Sequence, residues 1–321
     1  MSAKSFNPSG VIPATLALFD DDFSLDTAAT AKHLRHVATV DGLSAITING
    51  HSSEVHACTF NEQRHILDLS LDAIGDILPL VSGVYADGSG EAAEIAKMAT
   101  AAGASALLIF PPNSMSMGGH MRPEMALAHF DNIASATDLP LILFQYPMAG
   151  GLGYPFETLL HILEKVPSIV AIKDWCNDPM THEKQIRTLA ALPRPVNVLT
   201  THSSWLMASL SMAPAGLLSG AGSVIAELQV ALFNAVQAKD LAKAQAINDH
   251  IYPMAQAFYR PPFLDMHNRM KECLVLQGLA DKAVVRPPLM KLAPEEVQSL
   301  KQALKEAGLL DQPSEVMNAA E

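Results

Sequence analysis

The sequence is short of charge. Asp, Glu, Lys and Arg make up only 17% of its 321 residues, against 49% apolar residues. That balance excludes a disordered chain, which carries high net charge and has little to bury. Cations are scarcer still: 21 Lys plus Arg face 33 Asp plus Glu, a formal net charge of -12. Such a surface repels phosphate backbones and anionic lipid, so neither nucleic acid nor a membrane is expected as a partner. Long hydrophobic runs are missing as well, each being broken by Gly, Pro or a polar residue before the roughly 18 to 20 residues a spanning helix needs. Cysteine is nearly absent. Cys58, Cys176 and Cys273 are odd in number and form no CxxC pair, which removes a disulfide framework and points to a reduced, cytoplasmic setting. The opening MSAKSFNPSG has no basic stretch followed by an apolar one, so no secretory signal is expected.

What the chain does have is a series of short, almost continuously apolar runs, the mark of strands buried on both faces. They cover Val11 to Leu18, Ser44 to Ile48, Ile77 to Val81, Ala104 to Phe110, Pro140 to Phe144, Ser168 to Ile172, Val196 to Leu199 and Ala215 to Leu218. Between them lie segments of helical period: Asp26 to Ala38, Asn61 to Ala73, Gly90 to Ala102, Pro123 to Ser135, Pro155 to Glu164, Thr181 to Ala191 and Ser203 to Met212. Strict strand and helix alternation implies parallel strands with right-handed crossovers. Eight such units fit a (β/α)8 TIM barrel better than an open doubly wound sheet, and no GxGxxG follows the first strand. The barrel is expected over 1-224. From 225 to 310 only helices are expected, over Leu228 to Ala238, Leu241 to Ala257, His267 to Gln277 and Pro294 to Ala307, forming a C-terminal helical domain. A polar tail closes the chain over 311-321.

Active sites of such barrels lie at the C-terminal ends of the strands, which shortens the search. The second strand runs out into Asn49-Gly50-His51-Ser52-Ser53-Glu54, the fourth into Phe110-Pro111-Pro112-Asn113 and the fifth into Phe144-Gln145-Tyr146-Pro147. The sixth ends in Lys173-Asp174, the seventh in Thr200-Thr201-His202 and the eighth in Ser219-Gly220. Lys173 ends the apolar run VAIK without polar relief before it. An amine there is desolvated, and its lowered pKa supplies the neutral nucleophile that Schiff-base formation with a carbonyl needs. The competing reading is an ion pair with Asp174 or a stem that snorkels to water. Gly50 with Ser52 and Ser53 forms a turn able to hold a carboxylate, although such serines also bond backbone in ordinary turns. His51, His56 and His202 show no zinc-ligand spacing, so no metal and no cofactor are expected. Met115, Met117 and Gly118-Gly119 make a soft loop after the fourth strand, a mobile rim or a contact with another subunit.

Taken in order, GVIPATLALF, NGHSSEVHACTFNEQR, LIFPPN, FQYP, VAIKD, GLLSGAGSVIAEL and VVRPPLMKLAPEE resemble the dihydrodipicolinate synthase and N-acetylneuraminate lyase family of class I aldolases, over about residues 10 to 310. The resemblance implies a barrel with a helical C-terminal domain, assembled as a homo-oligomer, tetramer or dimer, and acting on a small 2-oxo acid such as pyruvate. It places Lys173 on the imine-forming lysine. The family's GTTGE turn appears as Gly50-His51-Ser52-Ser53-Glu54, which retains a hydroxyl at Ser52. The family's proton relay falls on His51, Asn113 and Phe144, all three changed, and its arginine for the aldehyde's carboxylate falls on Ala149. Losing that arginine argues against aspartate semialdehyde as the second reactant. The resulting expectation is a lyase with Lys173, His51 and Tyr146 as catalytic groups and Ser52, Ser53, Asn113 and Ser219 as substrate contacts. The alternative from another class is a barrel that binds a 2-oxo acid as a sensor without turnover.

Overall fold

A computed structural model describes residues 6–310, so the expected polar tail over 311-321 lies outside the described residues. In chain order the elements are β1 (Gly10–Pro13), α1 (Thr27–Ala38), β2 (Ile46–Ile48), α2 (Phe60–Ile74), β3 (Leu80–Val84), α3 (Ser89–Ala102), β4 (Ala106–Ile109), α4 (Pro123–Ala134) and β5 (Leu141–Gln145). There follow α5 (Phe156–Lys165), β6 (Ile169–Asp174), α6 (Pro179–Ala190), β7 (Asn197–Thr200), α7 (Leu206–Ser211), β8 (Gly216–Ser219), α8 (Gly222–Gln237), α9 (Leu241–Tyr259), α10 (Met266–Leu276) and α11 (Pro294–Glu306). The sheet has eight parallel strands in the order β1-β8-β7-β6-β5-β4-β3-β2. Parallel bridges at Val11 with Leu43 and Ala14 with Thr47 bring β1 against the β2 segment, so the barrel is nearly closed, as the alternation predicts.

Strand alternation divides the apolar residues into two cores. The barrel interior takes Ile12, Ala14, Ala45, Val81, Ala106, Leu108, Ile142, Ala171, Leu199 and Leu218. Small alanines mix there with branched chains, and Phe110, Phe144 and Tyr146 fill the interior toward the C-terminal strand ends. The opposite parity, including Val11, Ile46, Leu107, Leu143 and Ile172, packs against the helices in a larger outer layer.

Strand limits differ from those of the apolar runs. The first run keeps its ladder to Pro13 and its bridge to Thr47 at Ala14, and Leu16 to Leu18 continue as buried irregular chain. The third starts at Leu80, because Pro79 has no N–H to donate and Ile77 before it is exposed. Helix starts follow the expected chemistry. Asp26 caps α1 through Ala29 N–H, Thr59 and Glu62 form a reciprocal capping box on α2, and Asp178 caps α6 ahead of Pro179. The segment expected as one helix from Ser203 begins as a 3-10 turn over Ser203–Trp205 before α7. The expected boundary at 224/225 falls inside α8, at a kink where Ile225 leaves helical geometry (φ -127°, ψ 36°). Among the described residues no helix is long and apolar enough to cross a membrane.

Candidate active site

On β6, Ala171 and Lys173 share the parity that faces the barrel interior, while Ile172 and Asp174 face outward. Lys173 is 7% exposed, and its Nζ stands 4.2 Å from the centre of the Phe144 ring. Burial alone lowers its amine to about 7. The ion-pair alternative fails because the Asp174 carboxylate is taken up on the far side, accepting from Cys176 N–H (2.9 Å) and pairing with His182 Nδ1 (2.6 Å). Near neutral pH, therefore, a large share of Lys173 is an uncharged amine.

Lys173 opens into a small cavity of about 50 Å³ bounded by His51, Phe144, Trp175, Thr201 and Gly220 of the barrel. Its other wall comes from beyond the barrel: Tyr259 at the end of α9, Phe263, and Met266 and His267 at the start of α10. Trp175 stacks on Phe263 (5.1 Å, 16°), which stacks in turn on Tyr259 (5.8 Å, 28°). The helical extension thus closes the barrel mouth over the lysine.

The turn after β2 is held in an uncommon backbone state. Asn49 (φ 52°) and Glu54 (φ 53°) are both left-handed and bracket a 3-10 turn over His51–Ser53. Such conformations cost roughly 1 to 3 kcal/mol each and persist only where the surroundings fix them. Here Asn49 Nδ2 donates to the Gln63 carbonyl (2.8 Å), and the buried Glu54 carboxylate receives Lys271 Nζ and Arg286 N–H (2.8 Å). Gly83 on β3 permits the close approach, since a Cβ there would lie 1.9 Å from the Asn49 carbonyl oxygen. Within the turn, Ser52 is 2% exposed and its Oγ has no partner among the described residues. Ser53 Oγ instead donates to the Thr15 carbonyl (2.9 Å), anchoring the turn to the segment after β1.

His51 Nε2 is hydrogen-bonded to Tyr146 Oη. Tyr146 reaches it because β5 keeps its parity past its last ladder position, placing Ile142, Phe144 and Tyr146 successively inside the barrel. Burial and the nearby Lys173 hold the imidazole down at about 3, and burial pushes the Tyr146 phenol well above its usual range. At neutral pH the pair is uncharged and shares one bridging proton.

The remaining expected residues are placed differently. Asn113 is exposed at the rim, its side chain donating to Tyr85 Oη (2.6 Å) and its N–H to Asp87 (2.5 Å). Ser219 is fully buried below the cavity, its Oγ bonded to Ser203 Oγ (2.6 Å), Gln229 Nε2 (3.2 Å) and Ala221 N–H (3.2 Å). Ala149 is exposed and does not line the cavity. His56 is exposed.

His202 joins a separate buried network with Asp174 and Cys176, whose ligand atoms lie close enough to share a metal ion. They fit one poorly. Asp174 already receives Cys176 N–H and His182, and His202 Nε2 accepts Asn177 N–H (3.1 Å), bonds that a metal would break. Burial also raises the Cys176 thiol far from the thiolate a metal prefers.

Sequence reasoning at strand ends missed Trp175, Tyr259, Phe263, Met266 and His267. In the sequence DMHNRMKE reads as an ordinary polar helix start, and only the structure shows Asn268, Arg269 and Lys271 fully buried, so no local signal marked it.

Eight parallel strands in a nearly closed barrel, with a buried lysine near the end of the sixth and C-terminal helices beside the mouth, define a TIM barrel with a helical extension. Comparison with known proteins narrows this class. The family model for the Dihydrodipicolinate synthetase family matches residues 7–307, and the chain belongs to that family. It is 29% identical over 315 residues to a 4-hydroxy-tetrahydrodipicolinate synthase of Kineococcus radiotolerans, covering 97% of each chain. It is 28% identical over 309 residues to an uncharacterized DapA-like lyase of Halobacterium salinarum, covering 94% of each. Among solved structures, YagE of E. coli K12, a prophage protein of the dihydrodipicolinic acid synthase family determined in complex with pyruvate, superimposes with a TM-score of 0.85. Identity there is 22%, over 94% of this chain and 99% of that one, which is a likeness of fold.

Proposed function

We propose that this protein is a lyase that forms a Schiff base between Lys173 and pyruvate or another small 2-oxo acid. The observation that carries the reading is the enclosed Lys173 amine, lowered to about 7 with no carboxylate beside it. The neutral amine adds to the keto carbon, and loss of water gives the protonated imine. That cation draws electrons from the adjacent C–H, so a proton leaves C3 and an enamine forms. The enamine makes a bond to an electrophile, and in reverse the imine drives cleavage, dehydration or deamination at the same carbon. Water then hydrolyses the imine and returns the amine.

His51 is the group that moves the proton. It sits in the cavity with Lys173 and is oriented by Tyr146, a two-residue unit in place of the tyrosine relay that Phe144 cannot supply. The unpartnered Ser52 hydroxyl supports a carboxylate contact at the strand-2 turn. Ser53 serves that turn through its bond to Thr15, and Ser219 braces the end of β8 through Ser203, Ala221 and Gln229. Asn113 acts at the rim together with Tyr85.

Among the described residues no Lys or Arg besides Lys173 lines the cavity, which argues for a second reactant other than aspartate semialdehyde. A homo-oligomer in the cytoplasm accords with the family, with the three free cysteines and with the exposed Met117 and Met121 at the rim.

The test is reduction with borohydride in the presence of pyruvate, followed by peptide mass analysis. A single stable adduct at Lys173, lost in Lys173→Met, is expected. Absence of an adduct with pyruvate and with a panel of 2-oxo acids would sink the reading. An adduct without turnover of any aldol, hydroxy or amino derivative in the panel would favour the sensor alternative.

A further inference from the structure

Resting on the reading just given, we propose that His267, contributed by the helical extension, binds the carboxylate of the 2-oxo acid together with Ser52. Gly220, at the end of β8, fixes the geometry. A Cβ built there would meet His267 Nε2 at 3.0 Å and Ser52 Cβ at 3.8 Å, so the two side chains flank one glycine on the cavity wall. Ser52 is 2% exposed, and its Oγ finds no acceptor or donor among the described residues. A buried hydroxyl left open in this way costs free energy that an incoming anion recovers.

His267 lines the same cavity as Lys173, and no hydrogen bond engages its ring among the described residues. Burial and the neighbouring Lys173, Lys271, His51 and His56 hold it well below its usual range, so it meets the ligand as a neutral N–H donor. One carboxylate oxygen takes the Ser52 hydroxyl and the other the His267 N–H, while the keto carbon faces Lys173. The neighbouring Ser53 and Ser219 hydroxyls are occupied elsewhere.

This arrangement gives the extension a part in binding as well as in closure. His267 is the second residue of α10, and Lys271, one turn later on the same helix, is held by Glu54 of the strand-2 turn. The ion pair therefore ties the helix that carries His267 to the turn that carries Ser52.

The experiment compares pyruvate with methyl pyruvate, which keeps the ketone and lacks the charge. The quantity read is the concentration giving half-maximal borohydride labelling of Lys173. In the wild type pyruvate is expected to label at much lower concentration than the ester. His267→Phe should raise the value for pyruvate roughly 10- to 100-fold, as expected for losing one hydrogen bond to a charged group, and move the ester less than about threefold on the same grounds. His267→Gln, which retains an N–H, should recover part of the selectivity. If His267→Phe does not fold, Gly220→Ala, whose methyl displaces Nε2, should shift the same ratio. An unchanged pyruvate-to-ester ratio in a folded variant overturns the assignment and leaves the Schiff-base reading intact. Absence of Lys173 labelling by either compound in the wild type removes both.

Discussion

Lys173 is expensive where it stands. Moving an ammonium from its ordinary 10.5 to about 7 by burial alone corresponds to a penalty of several kcal/mol on the charged form. The folded pKa is the lower one, so the unfolded chain holds this proton between pH 7 and 10.5 and the native chain does not. The penalty is thus complete below pH 7 and fades as the pH rises toward 10.5. Lys173→Met should therefore abolish adduct formation and still raise the melting temperature at pH 7, with the gain shrinking at pH 9. Melting curves of both proteins across that range check it, and a variant less stable than the wild type at pH 7 would contradict the argument. The apolar VAIK run foretold the burial of this amine, because the cost follows from local surroundings. It did not foretell His267, since nothing in a linear pattern says which turn of a distant helix will roof the barrel.

At the scale of elements, alternation was readable from sequence and its limits were not. Parallel strands buried on both faces must be apolar throughout, so all eight appear as runs. Where each run starts and stops pairing depends on partners across the ladder, which have no local signature, and locally only Pro79 marks a limit, the start of β3. Tyr146 shows the useful side of the same rule: parity with Phe144 sufficed to point it inward, and the structure brings it to His51. The strand-2 turn depends on something longer in range. Glu54 bonds Lys271 and Arg286 N–H, residues more than 200 positions away, and both members of the ion pair are buried. Glu54→Ala leaves the Lys271 ammonium without its partner and should cost roughly 3 to 5 kcal/mol, read as a lower urea midpoint at unchanged slope. Glu54→Ala with Lys271→Met should regain a good part of that loss. If the double variant is no more stable than the single one, the penalty has another source.

For the molecule as a whole, the histidines set an acid limit. Burial holds His33 and His51 at about 3 and His129 and His202 at about 4, while each returns to its ordinary 6.5 when the chain unfolds. Their folded values are depressed, so the stability present above pH 6.5 is lost as the pH falls toward the folded values. Between pH 6.5 and about 4 the unfolded chain binds more protons than the native one. Each histidine then removes up to about 1.4 kcal/mol per pH unit, and four acting together can exhaust a stability of roughly 5 to 15 kcal/mol within two or three units. The melting temperature should accordingly fall steeply below pH 6, well before the carboxylates titrate. His33 isolates the cause, being 2% exposed, outside the cavity, and without a partner for either ring nitrogen among the described residues. His33→Leu should stabilise the protein by about 1 to 3 kcal/mol at pH 7 and make the acid slope shallower. A His33→Leu protein with the wild-type slope between pH 6 and 4.5 would show that other groups drive the acid transition.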